Sequence, residues 1–90
     1  MTSSSWTVVL DPRAVQDVKK LHRRHHPILP QLLRAIDTLA EQPHEGKLLR
    51  SDRRGSRSLR VGDFRVIYDL YPDRRMVHLI RIGDRKEIYR

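Results

Sequence analysis

Between Ser56 and Ile82 the apolar residues alternate and the turns fall at intervals that suit an antiparallel meander and not a helix. Ser56 to Val61 places Leu59 and Val61 on one side and Ser58 and Arg60 on the other. Gly62-Asp63 follows, with glycine first as a type II′ hairpin turn requires. Phe64 to Tyr71 then sets Phe64, Val66, Tyr68 and Leu70 on one face and Arg65, Ile67 and Asp69 on the other. Tyr71-Pro72-Asp73-Arg74 turns the chain again. Met76 to Ile82 returns as a strand apolar on both faces, the pattern of a central strand. Gly83-Asp84 breaks it and leaves Arg85 to Arg90 as a short tail containing Ile88 and Tyr89.

The remainder supplies material to cover one side of such a sheet. After the polar lead Ser3 to Ser5, Trp6 to Leu10 reads as a first strand. Asp11-Pro12 supplies an N-cap carboxylate and a proline at the first helical position, where its missing N–H costs nothing. The spacing predicts a helix with Ala14, Val18, Leu21 and His25 on one face and Val15 beside them, while Arg13, Lys19, Lys20, Arg23 and Arg24 face away. Pro27 disfavours helical geometry in the residue before it and predicts a stop near His26. From about Ile28 to Glu41 a second helix carries Leu29, Leu32, Leu33, Ile36, Leu39 and Ala40, with Pro30 tolerated in its first turn. Pro43, Glu45 and Gly46 open a loop, Lys47 to Arg50 is a short extended piece or loop edge, and Ser51 to Gly55 is a charged turn. The expectation is a single α+β domain over residues 1–90, ordered β-α-α-β-β-β. Its mostly antiparallel sheet carries a helical hairpin on one face and leaves the other free.

Charge is distributed unevenly over this plan. Residues 1 to 43 hold 6 basic and 4 acidic side chains, and 44 to 90 hold 13 and 7, within a formal net charge of +8. A basic face of this kind favours polyanions by Coulomb attraction and counterion release. Arginine supplies 15 of the basic residues and lysine 4, a bias toward planar, bidentate phosphate contacts. The absence of cysteine excludes a disulfide framework, a thiolate nucleophile and Cys-ligated zinc, and suits a reducing cytosol. No secretory signal is read at Met1 to Ser5, and no run of roughly 18 apolar residues predicts a membrane span.

The candidate functional residues follow from these patterns. Arg60, Arg65, Arg81 and Arg85 lie on or just after the strands, with Lys47, Arg50 and Lys86 near them in sequence and Arg53, Arg54 and Arg57 in the intervening basic stretch. As a group they read as a phosphate-gripping sheet face, although any one alone could be ordinary solvent-facing arginine. Tyr68 reads as a packing residue, whereas Tyr89 could stack on a base or address a ribose hydroxyl. His22 and His26 have helical ligand spacing but no third ligand, and cations at a helix C-terminus are explained by the dipole, so no metal is expected. His78 reads as structural, and the sequence contains no Gly-rich phosphate loop or Ser-His-Asp arrangement.

Ser58 to Tyr68, S-L-R-V-G-D-F-R-V-I-Y, followed by Ile80 to Arg90, I-R-I-G-D-R-K-E-I-Y-R, resembles the RelE/ParE superfamily of bacterial type II toxins, over essentially the whole chain. The resemblance implies the RelE-like microbial ribonuclease fold and a metal-independent endoribonuclease, an mRNA interferase that cuts in the ribosomal A site. By that likeness Arg60, Arg65, Arg85 and Tyr89 are the catalytic positions and Arg50 matches an arginine of the preceding loop. The reaction implied is attack of a ribose 2′-hydroxyl on the adjacent phosphate, leaving a 2′,3′-cyclic phosphate and a 5′-hydroxyl. Ser58 stands where the strongest nucleases often carry a second basic residue, and Asp84 where many relatives have histidine; Asp52 and Glu87 are alternative carboxylate bases ranked below Tyr89. The implied partners are the ribosome, mRNA and a cognate acidic antitoxin, with oligomerisation only through the antitoxin, in the cytoplasm. Two other readings stay open: a ParE-like poison of DNA gyrase, and a basic RNA-binding module with no activity.

Overall fold

The computed structural model describes residues 5–49, 56–84 and 86. Its order is β1 (Thr7–Leu10), α1 (Pro12–Arg23), α2 (Leu29–Leu39), β2 (Lys47–Leu48), β3 (Arg57–Val61), β4 (Phe64–Tyr71) and β5 (Met76–Asp84), with a short 3-10 turn at Pro72–Arg74. The five strands form one sheet in the order β1-β5-β4-β3-β2. All neighbours are antiparallel except β1 and β5, which run parallel with Thr7 opposite Met76 and Leu10 opposite Leu79. The α+β class and the helix-covered sheet are as expected. The two-residue strand β2 takes the place of an undecided loop edge because Lys47 and Leu48 pair with Ser58 and Arg57.

Helix α1 begins as the sequence predicts. Asp11 is extended, at φ −62° and ψ 149°, and its carboxylate accepts the Arg13 N–H. The other end needs correction. The helix ends at Arg23, because His25 turns left-handed at φ +49°. Its N–H donates to the His22 carbonyl at 3.0 Å, and the His26 N–H donates to the Leu21 carbonyl at 3.0 Å. This pair of bonds is a Schellman motif, which satisfies the last carbonyls without glycine. His25 is therefore exposed and does not join the buried face of Ala14 and Leu21. In α2, Leu32, Ile36 and Leu39 point inward at helical spacing, whereas Leu33, 45% exposed, lies about 100° around the axis from Leu32 and leaves the expected stripe.

The helices cover the face that carries Val61, Phe64, Val66, Tyr68, Val77, Leu79 and Ile82, and with Ala14, Leu21, Leu32, Ile36 and Leu39 these form the core. Leu32 is 1% exposed, so its truncation to alanine costs about 2–5 kcal/mol. Strand β5 does not alternate strictly. The pairing jumps from Ile67 opposite Arg81 to Tyr68 opposite Leu79, so Ile80 is an extra residue in a bulge. That extra residue lets Leu79 and Ile82, three apart, both enter the core, and it explains a run that looked apolar on both faces. The Gly62-Asp63 turn has a positive φ of 62° at Gly62 and none at Asp63, the type II′ pattern.

The opposite face is not entirely open. Ser58 and Asp69 alternate away from the helices yet are buried, at 4% and 5% exposure, and the Ser56 hydroxyl hydrogen-bonds Asp69 Oδ1.

Candidate functional site

Lys47, Arg60 and Arg65 come together on three adjacent strands. Arg60 lies directly opposite Arg65 across β3 and β4, and Lys47 lies opposite Ser58 across β2 and β3. They line a cleft of about 290 Å³ together with Glu45, Gly46, Ser58 and Leu59. Two cations placed directly opposite one another on a sheet repel, at a cost of some tenths of a kcal/mol. An anion bound between them removes that cost. Arg60 is exposed, and its Nε donates to the Gly62 carbonyl at 3.1 Å, which orients the guanidinium and leaves its two Nη groups unbonded among the described residues. Arg65 is half-buried.

The loop that carries Lys47 is held from beneath by Tyr68, which the sequence reads as a packing residue, and by Arg57. The Tyr68 hydroxyl donates to the Pro43 carbonyl at 2.8 Å and accepts the Gly46 N–H at 2.9 Å. Burial is the main reason that the Tyr68 hydroxyl titrates above its ordinary value, so it stays a donor at neutral pH. Arg57, placed by its sequence among the RNA contacts, faces this loop, and its Nη1 donates to the carbonyls of Gly46 at 2.7 Å and His44 at 3.2 Å. Gly46 is required at its position. A Cβ there would stand 2.6 Å from the Tyr68 hydroxyl oxygen and 3.1 Å from the Ser58 carbonyl carbon.

Other named positions lie apart. Arg81 Nε meets Asp17 Oδ2 at 2.9 Å, and the same oxygen accepts the Ile82 N–H at 2.8 Å, so this arginine fastens α1 to β5. Lys86 is exposed, and its N–H donates to Asp84 Oδ1 at 2.9 Å. Arg50, Arg53, Arg54, Arg85 and Tyr89, and the alternative bases Asp52 and Glu87, lie outside the described residues. Among the described residues no helix is long and apolar enough to cross a membrane.

A sheet backed by a helical hairpin on one face, with cations converging on a cleft of the other, defines a small α+β protein with a basic cleft. The fold is shared with chains from toxin–antitoxin complexes. The chain is similar to one in the RelBE2 toxin–antitoxin complex from Mycobacterium tuberculosis, at TM-score 0.77 and 28% identity over 91% of this chain and 100% of that one. For the RelBE complex of E. coli the values are 0.71 and 23%, covering 89% and 96%. For the DinJ-YafQ complex of E. coli they are 0.73 and 20%, covering 97% and 100%. A comparison with curated protein sequences finds no match. Residues 8–89 match the family described as ParE toxin of type II toxin-antitoxin system, parDE, and the chain belongs to that family. The superfamily resemblance carried by Ser58 to Tyr68 and Ile80 to Arg90 therefore holds, and the fold is RelE-like.

Proposed function

We propose that this toxin is a ribosome-dependent mRNA endonuclease, metal-independent, that cuts in the A site of the cytoplasmic ribosome and is neutralised by an acidic antitoxin. The observation that carries the reading is the convergence of Lys47, Arg60 and Arg65 on one cleft of the face that the helices leave uncovered. In the reaction the ribose 2′-oxygen forms a bond to phosphorus and loses its proton. The bond from phosphorus to the 5′-oxygen breaks, and that oxygen gains a proton. Arg60 and Arg65 stabilise the charge that accumulates on the phosphorane, where fixed cations act most strongly. Tyr89 orients or deprotonates the 2′-hydroxyl, and Arg85 stabilises the leaving oxygen as a cation, since an arginine does not readily give up its proton near neutral pH. Glu45 adds a carboxylate to the wall of the same cleft.

The +8 charge suits an acidic partner that competes with RNA for the same face. The test is induction of the chain followed by primer extension on translated mRNA. Cuts in codons positioned in the A site are expected. Intact message alongside accumulating gyrase-linked DNA breaks would overturn the nuclease reading in favour of a gyrase poison.

A further inference from the structure

The end of α1 carries a concentration of positive charge that the cleft above does not use. From Lys19 to His26 every residue except Leu21 is lysine, arginine or histidine, and no acidic residue stands between Asp17 and Asp37. Lys19, Lys20, Arg23 and Arg24 are exposed, and among the described residues none of them forms an ion pair. Helix capping does not account for them. The macrodipole presents about half a negative charge at a C-terminus, and the carbonyls of Lys20, Leu21 and His22 already accept backbone N–H groups at 3.2, 3.0 and 3.0 Å.

A cleft of about 160 Å³ opens beside this helix end, walled by Lys20, Arg24, His26 and Arg81 and bounded by Gly83 and Asp84 of β5. Its carboxylates are engaged: Asp17 holds Arg81 and the Ile82 N–H, and Asp84 accepts the Lys86 N–H. His26 is fixed by two contacts. Its Nδ1 accepts the Ile28 N–H at 3.1 Å, and its ring stands edge-on to Phe64 with centroids 5.1 Å apart. An accepting Nδ1 places the proton of the neutral ring on Nε2, which is then a hydrogen-bond donor.

The two clefts lie at the same end of the sheet, the first on its uncovered face and the second on the helix side, where Leu21, Phe64 and Ile82 line it. Arg60 pairs with Arg65, and Arg65 pairs with Gly83, which bounds the second cleft. Two inter-strand spacings put β3 and β5 roughly 10 Å apart along that row of pairs. We propose that the α1–β5 cleft is a second phosphate-binding site, through which an RNA backbone seated at Arg60 and Arg65 continues over the end of the sheet. Lys20 and Arg24 supply the charge, and His26 Nε2 a directed hydrogen bond. The proposal rests on the nuclease reading for the identity of the polyanion.

The test is fluorescence anisotropy of a labelled single-stranded RNA oligonucleotide with the full chain, titrated across salt concentrations. The double variant Lys20→Gln/Arg24→Gln is expected to bind at least about fivefold more weakly at low salt, with a salt slope shallower by about 0.7 per cation removed. Its thermal midpoint should match that of the parent, since both side chains are exposed, and Lys20→Arg/Arg24→Lys should restore the slope. Unchanged affinity and slope would overturn the proposal, as would loss of antitoxin neutralisation with RNA affinity intact, which would assign the cluster to a protein partner. A chain that shows this salt behaviour but cuts no translated mRNA would end the nuclease reading and leave the second site standing.

Discussion

Tyr68 and Gly46 fix each other: the buried hydroxyl accepts the Gly46 N–H at 2.9 Å, and an added methyl group at Gly46 would meet that oxygen at 2.6 Å. The contact sets where Lys47 enters the cleft, one residue later. Tyr68→Phe leaves the Pro43 carbonyl and the Gly46 N–H without their partner and is expected to destabilise the fold by about 2 kcal/mol. Gly46→Ala is expected to destabilise it as well and to displace Lys47. Denaturant unfolding checks both, and a Gly46→Ala protein as stable as the parent would show that the loop has room to move.

Arg60 and Arg65 oppose one another across β3 and β4. Arg60→Gln is expected to leave folding stability equal or higher by some tenths of a kcal/mol at low salt, because a like-charge pair is removed. In the same variant translation-coupled cleavage should fall by about tenfold or more, the scale of one lost transition-state contact. Residues that serve only the fold lose both properties together, so the opposed signs identify a functional pair.

Arg85→Ala and Tyr89→Phe are each expected to reduce cutting by at least about tenfold. Single-turnover cleavage on programmed ribosomes measures this directly. Unchanged rates in both variants would remove them from the proposed chemistry without touching the family assignment.

Asp17 and Arg81 form a pair whose two halves are unequal. Asp17 holds the Ile82 N–H in addition to the guanidinium, and its side chain is 16% exposed against 43% for Arg81. Asp17→Ala strands a half-buried backbone donor and should cost about 1–3 kcal/mol. Arg81→Ala frees a carboxylate that keeps one partner and should cost less. Thermal unfolding of both single variants and the double variant would reveal the asymmetry, and equal losses would contradict it.

Asp11 gives the fold a pH dependence. The Arg13 N–H, then the Arg13 side chain, hold the Asp11 carboxyl below its ordinary pKa. A lowered folded pKa means that the carboxylate favours the folded state at all pH values above the ordinary one, and that the contribution is lost as pH falls through the carboxyl range to the lowered value. Asp11→Asn keeps an N-cap acceptor but does not titrate there, so its stability should fall less steeply in acid. An acid limb identical to that of the parent would show that other carboxylates govern it.

The sequence made the class of fold legible because each strand and helix carries its own period, and because Gly62 requires a turn of one hand. It did not disclose features decided by distant partners. Leu33 resembles Leu32 in composition and differs only by rotation about the helix axis. His25 resembles a core residue by spacing, but Pro27 favours ending the helix first, and the left-handed residue then falls on histidine instead of glycine. Arg57, Arg60, Arg65 and Arg81 look alike along the chain, yet Arg57 is taken by loop carbonyls and Arg81 by a carboxylate 64 residues away, while Arg60 and Arg65 line the cleft. The cations at the end of α1 suit the helix dipole as far as the sequence shows, because the adjoining cleft is completed by β5, which sequence spacing does not reveal.

The parallel pairing of β1 with β5 also bears on when the molecule can assemble. Thr7 meets Met76, so the first strand has no neighbour until the last has been synthesised. On a translating ribosome Val8 and Leu10 must wait through the emergence of both helices and the meander before they find Val77 and Leu79. Loop-closure entropy makes such a contact late and slow, and a chain interrupted before Met76 would leave its helices without Val77, Leu79 and Ile82 to pack against. Folding of the first strand is thereby coupled to synthesis of β5.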